Sequence, residues 1–371
     1  MQMGRVFFIL TFMNQPAANE HITEIMREVG DALRATLLRY SELMPPALIR
    51  MGKLVLSAPG KVLVWQTLTD RGEEAPMPRW PLMVILSYQA ALPPEKRSSW
   101  REAMPAAIAL ELAAAAADLI DEAADNDPSP VIDEYGTGQA LNTANLMLVM
   151  AQQVLLWAAQ EGHARALAAL GALQDMLVEA AVGQHLDMSY ERMGVLDVSP
   201  DMSGEMTEKK AGALMGGGFR MGALMAGADE DIIALLERIG RKVGGMAQIS
   251  NDVRDVMPAE TADDSASVEG MSDEQIPGLQ PKTDIRLRKR SIPIVYALRE
   301  EKDEPNPLQI AFSRPPDEHE DEDKLRRTVL NAGGVDFAYL VMELYQNDAI
   351  EALNALEELR PGAREVLGPL L

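Results

Sequence analysis

The chain has 371 residues, 47% of them hydrophobic, and a net charge of −23. That charge excludes a nucleic-acid binder, since a phosphate backbone is repelled unless a sizeable basic patch overrides the field. The absence of cysteine excludes disulfides, thiolate nucleophiles and cysteine-based zinc sites, and fits a reducing cytoplasm. The length allows a substantial core, and Ala, Leu and Met prevail over β-branched and aromatic runs, which points to an all-α fold.

The opening Met1 to Met13 is apolar but too short to span a bilayer, and it lacks the small-residue cleavage site of a signal peptide. A flexible leader over residues 1–18 is expected, followed by one helical domain over 19–371 with no transmembrane segment. Residues 20–43 place Ile22, Ile25, Val29, Leu33 and Leu37 at helical spacing, and Pro45 and Pro46 end that helix. Residues 47–69 read as helical with a break at Pro59-Gly60, and 70–78 as a loop. Trp80 to Ala91 reads as a buried helix, and 92–99 as a turn.

Residues 111–125 then form an alanine-rich helix ending in carboxylates. Asp121 and Asp125 stand one turn apart on one face, an arrangement for holding a cation. After a loop at 126–130, Thr137 to Gln160 is a long apolar helix, and a shorter pair follows at 162–170 and 171–188. Pro200 to Thr207 reads as a linker. Lys209 to Ala228 is a Gly- and Met-rich helix, in which Gly216-Gly-Gly-Phe-Arg-Met-Gly222 serves close packing rather than a dinucleotide loop, because no strand precedes it.

Residues 230–255 form an amphipathic helix ending in a second carboxylate group, Asn251-Asp252-Val253-Arg254-Asp255. If the two helix ends face each other they form a hard, oxygen-only site that suits Mg²⁺ bridging to a substrate phosphate. Residues 257–283 read as a mobile acidic flap. The basic run from Arg286 to Arg290 is either a solvated patch or the set of cationic partners that a metal-held phosphate needs. A helix at 294–299, an acidic loop at 300–324 and helices at 325–347 and 349–359 complete the chain. Among the histidines only His185 stands near a motif.

These residues resemble the trans-isoprenyl diphosphate synthase (polyprenyl synthetase) family, from about residue 80 to 300 and in the family's order. Glu111 to Asp125 resembles the first aspartate-rich motif in the form Asp-Glu-x-x-Asp. Gly183-Gln184-His185-Leu186-Asp187 is similar to Gly-Gln-x-x-Asp. Lys210 to Leu214 is similar to Lys-Thr-x-x-Leu, with Ala211 for threonine. Gly244 to Asp255 resembles the second aspartate-rich segment, with Asn251 for its first aspartate, and Lys289 to Pro293 resembles Gly-Lys-x-Thr-x-Pro, with Arg288 for glycine.

The resemblance implies a single-domain class I isoprenoid synthase bundle of helices around a deep apolar cavity, and a homodimer. It implies that Asp121 and Asp125 bind Mg²⁺ on one side of an allylic prenyl diphosphate and Asp252 with Asp255 on the other, while Lys210 and Lys289 contact the diphosphate. Gln184, Asp187 and Gln248 are expected at the substrate, and small Ala116 and Ala117 leave the tunnel open to a long prenyl chain. The family's isopentenyl diphosphate motifs are missing. Only Arg79 is basic in Pro76 to Pro81, and residues 126–140 hold no Arg or Lys but do hold Asp127, Asp133 and Glu134. Three readings follow: prenyl transfer, to an acceptor other than isopentenyl diphosphate or by ordinary elongation if Lys61 or Arg101 reaches that site; a terpene cyclase; or a regulatory subunit of a heterodimeric synthase.

Overall fold

The computed structural model describes residues 16–40, 79–125, 129–257, 284–300, 306–316 and 320–371, and among them it contains helices and no strand. The expected leader up to residue 15, the 47–69 helix, the 70–78 loop and nearly all of the 257–283 flap lie outside the described residues. In chain order the helices are α1 Pro16–Tyr40, α2 Arg79–Ala91, α3 Met104–Asp125, α4 Pro130–Tyr135, α5 Thr137–Gln160, α6 Ala166–Tyr190, α7 Pro200–Thr207, α8 Ala213–Ala226 and α9 Glu230–Val256. Then come α10 Asp284–Leu287, α11 Ile292–Arg299, α12 Pro307–Phe312, α13 Glu322–Asn331, α14 Gly334–Leu359 and α15 Ala363–Leu367.

The all-α expectation holds, and the differences from the sequence reading have local causes. The 92–99 turn is mostly a 3₁₀ segment, Pro94–Ala103. The expected pair at 162–170 and 171–188 is the single helix α6. Gly171 costs a helix about 1 kcal/mol relative to alanine, and burial of Ala166, Ala169, Leu173 and Met176 along one stripe outweighs that. The expected linker at 200–207 is helix α7. Ser199 accepts a bond from the Met202 amide at 3.2 Å, Pro200 occupies the first turn and Asp201 faces the positive helix end.

The 300–324 stretch is broken by α12, whose start Asn306 caps by accepting from the Leu308 amide at 2.9 Å. The last long helix begins at Gly334 rather than at 349. Gly333, at φ 80, supplies the left-handed residue that ends α13.

The described residues form two compact units. The first takes those up to Leu177 with Leu214–Arg241 and Ala349–Leu371; the second takes Val178–Ala213 and Lys242–Asp348. In the first, α3 packs on α5, α2 and α1, and Leu82, Ile85, Leu110, Leu112, Leu119 and Phe219 are fully or almost fully buried. Here α8 comes close because its glycines lack Cβ atoms. A Cβ at Gly217 would strike Met176, and one at Gly218 would strike Leu110.

In the second unit, Ile249, Val253 and Val256 of α9 pack with Ile285, Ile294, Leu298, Leu308 and Val329 into one core. Two stretches, Pro94–Asp125 and Ala166–Tyr190, are long and apolar enough by composition to cross a membrane; the first is 72% and the second 33% buried within the fold.

Candidate active site

The second unit assembles most of the chemistry around the C-terminal half of α6. A close approach of two backbones starts it: Gly183 lies so near the Lys209–Lys210 backbone that a Cβ there would collide with the Lys210 amide. Between α7 and α8 the chain makes a π-helical segment, Glu208–Gly212, which carries Lys210. Such segments insert one extra residue and re-aim the side chains that follow. Lys242 holds the segment through Glu208, and it also meets Asp348 at 3.4 Å and covers the Tyr345 ring at 4.5 Å.

Lys210 thereby reaches across to α6. Its Nζ donates to Asp187 Oδ2 at 2.8 Å, and Lys289 Nζ donates to the same oxygen at 3.2 Å. Lys289 is also paired with Glu191 at 2.8 Å, the residue that follows the end of α6. Asp187 is buried. Burial works to raise its pKa, but the charges of Lys210 and Lys289 outweigh that and hold it below the usual carboxylate range.

At the end of α9 the balance is reversed. Asp252 is buried and accepts a bond from Gln248 Nε2 at 2.8 Å, one turn earlier. Burial, then the negative charges of Asp255 and Asp187, push its pKa up in spite of Gln248 and Lys210. Asp284, which opens α10, is pushed well up by removal from water and by Asp255 and Asp252. Carboxylates that raise one another's pKa in this way gain from a shared hard cation. The donor set therefore fits Mg²⁺ chemically, although among the described residues no three such groups stand in a ready-made metal geometry.

In the first unit, α3 ends as expected with Asp121 and Asp125, both half-buried; Ala116 is fully buried and Ala117 half-buried. The sequence reading gave no separate role to Glu111, which lies further down α3. It is fully buried, neither carboxyl oxygen has a hydrogen-bond partner, and burial followed by the Asp118 charge raises its pKa well above normal.

The structure places Gln184, Asp187, Lys210, Gln248, Asp252, Asp255 and Lys289 together in the second unit and Asp121, Asp125, Ala116 and Ala117 in the first. Glu191 and Asp284 were missed. The helical spacing of Glu191 from Asp187 was the available signal for one, and the lone acid beginning the basic run for the other. His185 is exposed on α6.

The basic run is not a solvated patch. Arg286 is exposed, while Arg288, Lys289 and Arg290 are 5%, 6% and 1% exposed. Arg101 is committed elsewhere, with ion pairs to Glu24 at 2.7 Å and Glu28 at 2.6 Å on α1. Lys61 lies outside the described residues, and Arg79 opens α2.

The polyprenyl synthetase family model matches residues 79–329, so the chain belongs to that family. A short chain isoprenyl diphosphate synthase of Methanothermobacter thermautotrophicus is 32% identical over 205 residues, 54% of this chain and 55% of that protein. The chain thus spans about half the length of this curated relative.

Among solved structures, a polyprenyl synthetase from Streptomyces coelicolor A3(2) superposes with TM-score 0.70 at 24% identity, covering 94% of this chain and 98% of that one. A geranylgeranyl pyrophosphate synthase from Corynebacterium glutamicum, complexed with isoprenyl diphosphate and magnesium, gives TM-score 0.71 at 18% identity over 94% and 99% of the two chains. The fold is the class I isoprenoid synthase fold of these neighbours. None of these three proteins is described as a cyclase.

Proposed function

We propose that the protein transfers the prenyl group of an allylic prenyl diphosphate, in isoprenoid biosynthesis, in a Mg²⁺-dependent reaction. Family membership supports the reaction class, and the observation that carries the site is the Lys210–Asp187–Lys289 bridge. Ionisation of an allylic diphosphate leaves charge on the departing group, and cations fixed where that charge develops lower the barrier. Lys210 and Lys289 are held in place by Asp187 before substrate arrives, so little reorganisation is needed at that moment.

Asp121 with Asp125, and Asp252 with Asp255, are the residues that would hold Mg²⁺. Bound there, the metal supplies Lewis-acid stabilisation of the diphosphate oxygens. Gln248 orients Asp252, and Gln184 precedes Asp187 on the same stretch of α6. Ala116 and Ala117 are the small residues of α3 along which a long prenyl chain would lie, and an apolar surround would keep water from the allylic cation.

The acceptor is a molecule other than isopentenyl diphosphate. Arg101 is taken up by Glu24 and Glu28, and α4 carries Asp133 and Glu134, acids in the stretch that the family resemblance assigns to a second diphosphate. The protein works in the cytoplasm as a homodimer. Leu141, Val149 and Leu156 on α5 and Leu167 on α6, 37% to 57% exposed, supply an apolar face for the second copy.

The deciding assay measures pyrophosphate release from geranyl, farnesyl and geranylgeranyl diphosphates with Mg²⁺, with and without isopentenyl diphosphate. A cyclic hydrocarbon or alcohol formed with no acceptor present would sink the transfer reading. Product formed only when isopentenyl diphosphate is added would sink the acceptor part of it, and a monomer in sedimentation would remove the dimer.

A further inference from the structure

Arg288 is the only non-glycine residue with positive φ among the described residues, at φ 60. Glycine holds that conformation without steric conflict, so a long side chain at this point needs a reason. The side chain supplies one. Its Nη2 lies 2.7 Å from Glu320 Oε2, with the two side chains 6% and 7% exposed, and its Nη1 donates to the Ile285 carbonyl at 2.9 Å.

The turn is tied on both sides. Arg290 Nη1 donates to the Arg288 carbonyl at 2.8 Å, and Ser203 Oγ on α7 donates to the Arg290 carbonyl at 2.7 Å. The guanidinium carbons of Arg288 and Arg290 lie 5.2 and 4.9 Å from the centre of the Phe312 ring. Lys289, between them, turns to the opposite side and meets Asp187 and Glu191. Of three consecutive cations, two anchor and one is presented.

We propose that Arg288 and Glu320 are positioning residues for Lys289. Their buried ion pair holds the left-handed turn in the conformation that aims the Lys289 ammonium at Asp187, and so at the diphosphate. A buried pair does more to select one conformation than to raise stability, and the conformation selected here is that of a binding loop. Glu320 also faces Arg314 at 3.7 Å, but Arg314 is outside the turn and does not restrain it. This inference rests on the functional reading above, since it needs a diphosphate for Lys289 to meet.

The experiment measures binding of inorganic pyrophosphate with Mg²⁺ by titration calorimetry, together with Tm, on the full chain. Glu320→Gln leaves the Arg288 guanidinium buried without its counter-charge, so both Tm and affinity fall, the affinity about tenfold, equivalent to one charge-assisted hydrogen bond. In Arg288→Gly/Glu320→Gln no charge is stranded and glycine accepts the turn, so Tm recovers while affinity stays low. Recovery of both, or wild-type affinity in Glu320→Gln, overturns the inference alone. Wild-type protein that binds pyrophosphate no better than Lys289→Met overturns the functional reading and this inference with it.

Discussion

The two carboxylate groups of this protein are built on opposite principles. The first, Asp121 and Asp125, is a half-buried helix end carried by α3, a helix of small apolar residues. The second, Asp252 with Asp255 and Asp284, is drawn into a buried network in which Asp187 and two lysines already balance charge. A helix end needs only local spacing and can be placed by one element. A buried network needs several elements to arrive together, and it tolerates the loss of a member poorly because what remains is an uncompensated charge.

The largest effects should come from removing a carboxylate from either group. Asp121→Ala and Asp252→Ala should each lower kcat about a thousandfold, close to 4 kcal/mol in barrier, with the circular dichroism spectrum intact. If only one of them loses turnover, the two groups do not share the reaction.

Asp187→Ala should separate the groups by stability instead. It removes the carboxylate that Lys210 and Lys289 share and should cost about 3 kcal/mol, read as a lower urea midpoint. The pH dependence has a definite sign. The folded-state pKa of Asp187 lies below its unfolded value, so its contribution is complete above the ordinary aspartate pKa and is lost as pH falls through the folded value. The stability gap between wild type and Asp187→Asn should therefore close on acidification below about pH 4; a gap that widens there would contradict the assigned charge state.

Ala117→Phe tests the first group by shape. It should cost about a hundredfold in kcat/KM for geranylgeranyl diphosphate and much less for geranyl diphosphate. Equal losses on both substrates would show that the chain does not run along α3.

The smallest contrast lies within a single helix, α6. Gly183→Ala drives a methyl into the Lys210 amide and should lower stability by about 2 kcal/mol. Gly171→Ala meets nothing within 4 Å and should raise it by about 0.5 kcal/mol. Thermal melts of the two variants give the answer, and equal shifts would show that the close approach at Gly183 is not required.

Much of the site was legible where chemistry follows from spacing. The end of α3 at Asp125, the full extent of α5 and the carboxylates closing α9 all fall where helical periodicity and turn residues put them. Misreadings came where a cap or a glycine had to be weighed against packing, as at α7, at Gly171 and at Gly333. The basic run was ambiguous for a different reason: three adjacent cations look alike in sequence, and partners far along the chain sort Lys289 from Arg288 and Arg290.

The sequence by itself determined that the chain is helical and that two acidic helix ends exist, because residue spacing within a few turns settles both, while the order of the lysines among them was legible only through the resemblance to the polyprenyl synthetases. Only the tertiary structure decided which charges are buried, which lysine meets which carboxylate and which carboxylates are hard to ionise. Those depend on removal from water and on contacts between residues such as Lys289 and Asp187, 102 positions apart, and nothing local encodes them.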